Sequence, residues 1–144
     1  MNIKNFKYYF NKNYFRIYKG LYSDERSVKE AQLLSKFAPS KDSAILDFGC
    51  AWGRHLKALA KTGYVNLTGV DFSDKLIEMA KENLSEFPFV EFVVSDFVSF
   101  KSSQKFDFIF HLFQAFGHED KNYDQDTLKN AARLLAGGGI ICSI

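Results

Sequence analysis

Cysteine, proline and long apolar runs are scarce in this chain of 144 residues. Its two cysteines, Cys50 and Cys142, lack the spacing of a metal centre or a disulfide framework, which predicts a reducing, cytoplasmic compartment and no bound metal. No apolar run approaches the roughly 20 residues that a membrane-spanning helix needs, and the polar, basic N-terminus has no signal-peptide pattern. The length suits one domain, so we expect a globular protein without membrane contact.

Charge is unevenly distributed along the chain, although its formal net value is only +2. Residues 1–22 contain lysines and an arginine but no acid, and tyrosines and phenylalanines lie between them. Such a mixture occurs in nucleic-acid-binding segments, but it also suits a lid or helix whose aromatic side chains cover a ligand pocket. We favour the lid, and we predict a boundary between this segment and a domain formed by residues 23–144.

Short apolar runs alternate with helical patterns after residue 23. The apolar runs predict strands at about 44–48, 65–70, 90–94 and 106–112, and a fifth strand that begins at 140. The helical spacing predicts helices at about 23–38, 54–62, 73–84 and 124–135. This alternation predicts an α/β protein with an open, doubly wound and mostly parallel sheet. The carboxyl ends of its strands would lie along one edge, where ligands of such sheets bind.

The stretch from Ala44 to His55 joins the first predicted strand to a helix through a glycine loop. Gly49 and Gly53 permit positive φ and a close approach to a ligand. The loop lacks the glycine spacing of dinucleotide sites and the Gly-Lys-Ser/Thr ending of a P-loop, and Asp47 at its mouth would repel phosphates and attract a cation. It therefore suits a nucleoside with a positive centre, such as S-adenosylmethionine (SAM). The simpler alternative is a glycine turn that only packs the helix on the strand.

Each of the first three predicted strands ends in an acid: Asp47, Asp71 and Asp96. Three acids at corresponding strand ends predict a shared polar ligand. Asp71 follows the glycine loop by about 20 residues, the distance expected of a carboxylate that binds both ribose hydroxyls. Asp96 would face the amino group of adenine, with the rings of Phe72 and Phe97 on either side of the base. For each acid, helix capping or loop solvation remains the alternative.

With these residues assembled, the stretch from about residue 25 to residue 144 resembles the class I SAM-dependent methyltransferases, in particular those that act on small molecules. Five ordered segments carry the resemblance: ILDFGCAWGRH, GYVNLTGVDFSDKLIEMAKENL, FVVSDF, FDFIFHLFQAFGHED and LKNAARLLAGGGIICSI. They are similar to the glycine-rich loop, the ribose motif, the adenine motif, the motif after the fourth strand, and the helix and glycine turn before the fifth strand. The implied activity is methyl transfer from SAM to a small-molecule acceptor, with S-adenosylhomocysteine as the product.

The resemblance implies contacts with the methionine part of SAM. Backbone groups of the loop would line this part of the ligand, namely those of Gly49, Cys50, Ala51 and Gly53. Asp47 would attract the ammonium group, and Arg54 or Arg26 would meet the carboxylate. A tyrosine such as Tyr14 or Tyr18 would close over this end of the ligand.

The segment after the fourth strand would face the reacting groups. By the same resemblance, His111 and Leu112 would lie near the sulfonium, while Gln114 and His118 would face the acceptor. A hydroxyl acceptor needs a base, and His118 and His111 are the candidates for that catalytic role. His55 is instead expected at the surface or in helix packing.

The chain departs from the family pattern in its loop and at its end. The usual middle glycine of the loop is Ala51, whose methyl group would weaken binding modestly. The family continues past the fifth strand into an antiparallel strand pair, whereas this chain stops at Ile144, so we expect a sheet that lacks its last two strands. The fifth strand would then be an apolar edge prone to pair with another chain, which predicts a homo-oligomer or a compensating partner.

Three functions are compatible with this pattern to different degrees. The first is methyl transfer to a small molecule; Leu112-Phe113-Gln114-Ala115 stands where enzymes acting on nucleic-acid bases carry an Asn-Pro-Pro-Tyr-type motif, which argues against nucleic acid as the acceptor. The second is a non-catalytic module that binds SAM or S-adenosylhomocysteine, because the acceptor-binding part would be missing. The third, a nicotinamide-dependent oxidoreductase, shares the fold but is disfavoured by the glycine spacing and by Asp47.

Overall fold

The computed structural model describes residues 12–112 and 121–143 of the chain. Its strands are β1 (Ile45–Phe48), β2 (Leu67–Asp71), β3 (Glu91–Val94), β4 (Phe106–His111) and β5 (Leu135–Ser143). They form one sheet in the order β3-β2-β1-β4-β5, and every pairing between neighbours is parallel. This order confirms the predicted open, doubly wound sheet, and it places the reversal of strand order between β1 and β4.

Helices cover the sheet on both faces. In the part of the chain that the structure describes they are α1 (Lys12–Tyr18), α2 (Asp24–Leu34), α3 (Arg54–Lys61), α4 (Asp74–Asn83) and α5 (Lys121–Leu134). Ser23 caps α2 by accepting the Arg26 amide at 3.2 Å, and Ser73 caps α4 by accepting the Leu76 amide at 3.3 Å. Among these helices, none is long and apolar enough to cross a membrane.

The central strand β1 divides the apolar core between the two faces of the sheet, because successive side chains of a strand point in opposite directions. Ile45 lies in a cluster with Leu56 of α3 and with buried side chains of α2. Leu46 and Phe48 lie in a second cluster that includes side chains of α5. Asp47, two residues after Ile45, therefore lies on the face that α2 and α3 cover, and it is 1% exposed.

The helix α2 is shorter than predicted, because it ends at Leu34 rather than near residue 38. Ala31 and Leu34 are buried, as the helical spacing predicts, but Val28 is 40% exposed. Ser27 is buried instead, and its hydroxyl donates to the main-chain oxygen of Ser23, one turn earlier, at 3.1 Å. A serine can lie inward when its hydroxyl makes such a bond, and apolar spacing alone does not indicate it.

The fifth strand begins five residues earlier than predicted. It starts at Leu135, so the glycine run lies inside the strand rather than in a turn before it. Phe106 pairs with Leu135 but Phe108 pairs with Ile140, so β5 carries extra residues between two neighbouring pairs. Gly138 has a φ of +83° in this irregularity, a conformation that glycine adopts without strain. A bulge and a turn thus use the same residue type, and the sequence pattern does not separate them.

Gly69 in β2 lies against three side chains, and we predict that Gly69→Ala destabilises the fold by about 1–3 kcal/mol. A Cβ at this position would lie 2.7 Å from Leu56 Cδ1, 2.8 Å from Cys50 Sγ and 3.0 Å from Phe92 Cδ1. The free energy of unfolding in urea measures the effect. Gly20→Ala is the control, because a Cβ there meets no atom within 4 Å. A Gly69→Ala chain as stable as the parent would contradict the packing of this face.

Candidate functional site

The glycine loop lies where the strand order reverses, at the carboxyl end of β1. The amides of Gly49 and Cys50 both donate to the Val70 carbonyl oxygen, at 2.7 and 3.1 Å, which fastens the loop to β2. The φ angles of Gly49, Ala51 and Gly53 are +84°, +47° and +75°. The residue that replaces the usual middle glycine is thus an alanine held in a left-handed conformation, which costs on the order of 1 kcal/mol.

Asp71, the last residue of β2, holds this loop in place. Its Oδ2 accepts a hydrogen bond from the Ala51 amide at 3.0 Å, and its Oδ1 accepts one from the Ser73 amide at 2.9 Å. Burial raises the pKa of the Asp71 carboxyl, these two hydrogen bonds offset part of that rise, and the resulting pKa is about 6. The carboxylate is therefore mostly ionised at pH 7, and its remaining lone pairs can accept further hydrogen bonds.

Asp47 lies beneath the loop rather than at its mouth. Its side chain is buried between β1 and the two helices α2 and α3, and its Oδ2 has no hydrogen-bond partner among the described residues. Burial raises the pKa of the Asp47 carboxyl well above its ordinary value, while the positive charge of Arg54 lowers it in part. The Nδ1 atom of the His55 imidazole lies 4.0 Å from Oδ2.

A cluster of charged side chains connects α2 with the start of α3, and we call it the charge cluster: Arg26, Glu30, Arg54 and His55. Glu30 lies at its centre. Its Oε1 accepts from Arg26 Nε at 2.8 Å, and its Oε2 accepts from Arg54 Nη1 and lies 3.0 Å from His55 Nε2. Burial raises the pKa of the Glu30 carboxyl, but the hydrogen bonds from these three partners outweigh burial and lower it to about 2.

The charge cluster contains three residues that the sequence analysis singled out. Arg26 and Arg54 were predicted as alternative partners of a ligand carboxylate, and in the structure both are bonded to Glu30. His55 was expected at the surface or in helix packing, and the structure shows helix packing, because His55 is 6% exposed and bonded to Glu30 across two helices. The sequence missed Glu30 itself. The signal that could have indicated it is its position beside the buried residue Ala31 and one turn after Arg26.

The aromatic segment before α2 packs over the glycine loop. The ring centroids of Phe15 and Trp52 are 5.1 Å apart, and those of Tyr14 and Tyr18 are 4.5 Å apart. Burial and the neighbouring groups Tyr22, Tyr18 and Asp71 together raise the pKa of Tyr14 to about 12. Tyr14 therefore lies within electrostatic range of Asp71 at the strand edge, and Tyr18 contacts Tyr14.

Asp96 lines a cavity of about 570 Å³ beyond the end of β3. Its Oδ1 accepts from the Val98 amide at 2.9 Å, and its Oδ2 accepts from the Tyr123 hydroxyl of α5 at 3.1 Å. Phe72 and Asp126 also line this cavity. The sequence missed Tyr123, because 27 residues separate it from Asp96 and only the packing of α5 brings them together.

The predicted pair of aromatic rings on either side of a base does not form. The Phe97 ring is 4% exposed and stacks on Phe48 in the core, with centroids 5.3 Å apart. Phe72 meets Phe97 nearly edge-on, with an interplanar angle of 64° and a centroid distance of 6.3 Å. Rings so arranged leave no parallel slot for a base. Of the two rings, that of Phe72 lines the cavity, whereas that of Phe97 fills the core.

His111 ends β4 beside the glycine loop, and it is buried. Its Nδ1 lies 2.7 Å from the Phe48 carbonyl oxygen, which can only accept, so Nδ1 carries the proton and Nε2 is the acceptor of the neutral ring. Leu112 is buried in the cluster on the α2 and α3 face. The predicted acceptor-side residues Gln114 and His118 lie outside the described residues.

A second cavity, of about 560 Å³, is lined by Trp52 of the glycine loop and by residues of α1, α2, α3 and α4. Its charged lining includes Arg54, Lys57 and Lys61 together with Asp24 and Glu82. None of the three strand-end acids lines it.

Solved structures that superpose on this chain include several methyltransferases. CalS10, an amino pentose methyltransferase from Micromonospora echinaspora solved with SAM, superposes with a TM-score of 0.73 at 24% identity, over 89% of this chain and 53% of that one. The CcbJ methyltransferase from Streptomyces caelestis gives a TM-score of 0.72 at 22% identity, over 80% of this chain and 47% of that one. At such identities the likeness establishes the fold, which is a Rossmann-like methyltransferase fold.

The chain belongs to the methyltransferase domain family, whose model matches residues 45–139. A ubiquinone biosynthesis O-methyltransferase of Coxiella burnetii is 34% identical over 101 residues, which are 69% of this chain and 42% of that protein. A trans-aconitate 2-methyltransferase of an Enterobacter species is 33% identical over 90 residues, 62% of this chain and 34% of that protein. The chain thus spans less than half the length of these curated relatives.

Glu30 predicts a pH-dependent contribution to stability. Its folded-state pKa of about 2 lies below the ordinary value of 4.5, so its interactions stabilise the fold above pH 4.5 and are lost as the pH falls toward 2. Glu30→Gln should lower the free energy of unfolding at pH 7 by roughly 2–3 kcal/mol, and the difference from the parent should shrink between pH 4.5 and 2. Urea unfolding at a series of pH values measures it.

Glu25→Gln is the matched control on the same helix. Glu25 pairs with Lys29 at the surface, where an ion pair contributes little, so this variant should match the parent at every pH. A Glu30→Gln difference that does not change with pH would contradict the role of the Glu30 charge.

Proposed function

We propose that this chain is the SAM-binding part of a methyltransferase that acts on a small-molecule acceptor, and that S-adenosylhomocysteine is its product. The observation that carries the proposal is Asp71, a buried carboxylate at the end of β2 that accepts one backbone hydrogen bond from Ala51 of the glycine loop and one from Ser73 at the start of α4. Such a carboxylate is rigid, mostly ionised at pH 7 and adjacent to the loop, as a ribose-binding acid needs to be.

The charges of the site suit SAM better than a phosphorylated cofactor. Asp47 offers a buried oxygen that has no hydrogen-bond partner among the described residues, and Asp71 and Asp96 add two more carboxylates along the same edge. We assign Asp71 to the ribose hydroxyls, Asp96 to the adenine amino group, and the backbone of residues 49–53 to the methionine part. SAM carries a sulfonium and an ammonium and no phosphate, so each acid would meet a donor or a positive charge.

SAM supplies an electrophilic methyl group, so the protein's part is to place the acceptor in line with it and to exclude water. His111 is suited to a role near the reacting methyl group. Its Nδ1–H donates to the Phe48 carbonyl oxygen, which leaves Nε2 as the proton acceptor. It would serve as the base if the acceptor is a hydroxyl. His118 and Gln114 remain proposals for the acceptor side.

The names of the relatives support a small-molecule acceptor. They include a ubiquinone biosynthesis O-methyltransferase, a trans-aconitate 2-methyltransferase and an amino pentose methyltransferase. The alternative is a module that binds SAM without turnover. Isothermal titration with SAM and S-adenosylhomocysteine, followed by a turnover assay on a metabolite panel, separates the two. Cytoplasmic location and a homo-oligomer that pairs through β5 stay predictions, which fractionation and ultracentrifugation would test.

Asp71→Asn should lower the affinity for S-adenosylhomocysteine at least about tenfold, or roughly 1.4 kcal/mol, because a charged acceptor of the ribose hydroxyls is lost. Titration calorimetry at pH 7.5 measures the affinity, and a thermal melt verifies that the variant is folded.

Asp107→Asn is the control for that variant. Asp107 Oδ2 accepts the Ala44 amide at 2.8 Å at the opposite edge of the sheet, so its loss affects stability in the same manner but not the ligand. The ribose assignment is wrong if Asp71→Asn binds as tightly as the parent, or if both variants lose the same affinity.

A further inference from the structure

The cavity beyond the end of β3 is lined by hydrogen-bond acceptors and not by positive charges. Asp96 and Asp126 carry its charge, and no lysine or arginine is among the described residues that line it. Phe72 and Tyr123 add aromatic rings to the same lining. Such a cavity suits a neutral ring with N–H donors, because a carbonyl oxygen of the ligand would be repelled by a carboxylate.

The main chain of Asp96 is fixed without any ligand. Its carbonyl oxygen accepts from the Ser95 hydroxyl at 3.0 Å, from the Ser99 hydroxyl at 3.3 Å and from the Phe100 amide at 2.9 Å. These bonds hold the turn that follows β3. The direction in which the Asp96 carboxylate points therefore depends on the torsions of its side chain alone.

Hydrogen bonds to both carboxylate oxygens fix those torsions. The Val98 amide donates to Oδ1 at 2.9 Å, and the Tyr123 hydroxyl donates to Oδ2 at 3.1 Å. A bond to one oxygen alone would let the carboxylate rotate about that contact, whereas bonds to both oxygens fix its plane. A carboxylate has about four acceptor sites, so these two bonds leave sites for a donor from a ligand.

Tyr123 is in turn held by the anchoring of α5 to the same turn. Asn130 follows Tyr123 by about two helical turns, so both lie on one face of α5. The side chain of Asn130 is buried, and its Nδ2 donates to the carbonyl oxygens of Phe97 at 2.6 Å and of Phe100 at 3.0 Å. The helix that carries Tyr123 is thus bonded to the segment that carries Asp96.

We propose that Tyr123 is a positioning residue for Asp96, and that the pair selects a ligand base with an exocyclic amino group. This inference rests on the proposed function, in which Asp96 meets the amino group of adenine. The Tyr123 hydroxyl holds Oδ2, so that the carboxylate offers its other acceptor sites in one orientation. Tyr123 acts through Asp96 and does not need to touch the ligand.

The test compares S-adenosylhomocysteine with its 6-deamino analogue, in which hydrogen replaces the amino group of the base. Titration calorimetry of the parent should give at least about tenfold tighter binding of S-adenosylhomocysteine. Tyr123→Phe keeps the ring and removes the hydroxyl. It should bind S-adenosylhomocysteine about three- to tenfold more weakly than the parent and bind the deamino analogue with unchanged affinity.

Tyr64→Phe is the matched control. Tyr64 is buried on the face that α2 and α3 cover, and its hydroxyl donates to the Ser35 carbonyl oxygen at 3.3 Å. This variant also loses one tyrosine hydroxyl bond, but at a residue that does not line the cavity, so both ligands should bind as they do to the parent. Thermal melts verify that each variant is folded.

A double-variant cycle tests whether Tyr123 acts through Asp96. In an Asp96→Asn chain, Tyr123→Phe should cause a further loss of S-adenosylhomocysteine affinity of less than about twofold, because the carboxylate that the hydroxyl positions is already gone. A further loss as large as that in the parent would show that the two residues act independently and would overturn the inference.

Two other results with Tyr123→Phe would overturn the inference and leave the proposed function intact. Equal losses for both ligands would mean that the hydroxyl only maintains the shape of the cavity, and unchanged affinity for S-adenosylhomocysteine would mean that it has no part in binding. A parent that binds both ligands equally well would have the same consequence. Absence of S-adenosylhomocysteine binding by the parent would overturn the proposed function and this inference with it.

Discussion

The pair of hydrogen bonds that Asp71 accepts is the constraint on which the rest of the site depends. They fix Ala51 in a left-handed conformation and set the start of α4 through Ser73. Neither a strained alanine nor a buried carboxylate is stable alone, since the first costs conformational energy and the second loses its solvation. Each compensates the other, because the amide that the strained loop exposes is the donor that the carboxylate needs. The remaining site residues are placed relative to this loop.

The sequence could predict the fold and the edge of the sheet at which ligands bind, because both follow from patterns along the chain. Apolar runs that alternate with helical spacing determine a parallel sheet, and parallel strands have their carboxyl ends on one side. Asp71 at the end of β2 and Asp96 just after β3 are on that edge for this reason. The start of β5 could not be predicted in this way. It depends on the pairing of Leu135 with Phe106, a contact between distant parts of the chain that leaves no periodic trace in either segment.

The sequence pattern predicted which residues lie at the sheet edge better than it predicted the directions of their side chains. Phe97 follows Asp96 directly, yet its ring packs on Phe48 of β1 in the core and does not face the cavity. The space in the core beside β1 therefore determines the direction of this ring. The contact between Glu30 and His55 joins two helices, and the two residues are 25 positions apart in the sequence. Pattern analysis treats each helix as one apolar and one polar face, and so it places such polar residues in solvent. Only the packing of α2 on α3 shows that they meet.

The electrostatics of the edge also explain why a diphosphate cofactor fits poorly. Burial raises the pKa of both Asp47 and Asp71, so each carboxylate already pays a desolvation cost when ionised. A ligand with negative charge would raise these pKa values further and would have to bind against two carboxyls or force them to take up protons. A ligand with positive charge has the opposite effect, because it favours the ionised carboxylates. Its attraction to them offsets part of the free energy that burial of the ionised carboxylates costs. Thermodynamic linkage then requires that such a ligand bind more tightly as the pH rises through the elevated pKa values, whereas a phosphorylated ligand would show the opposite trend.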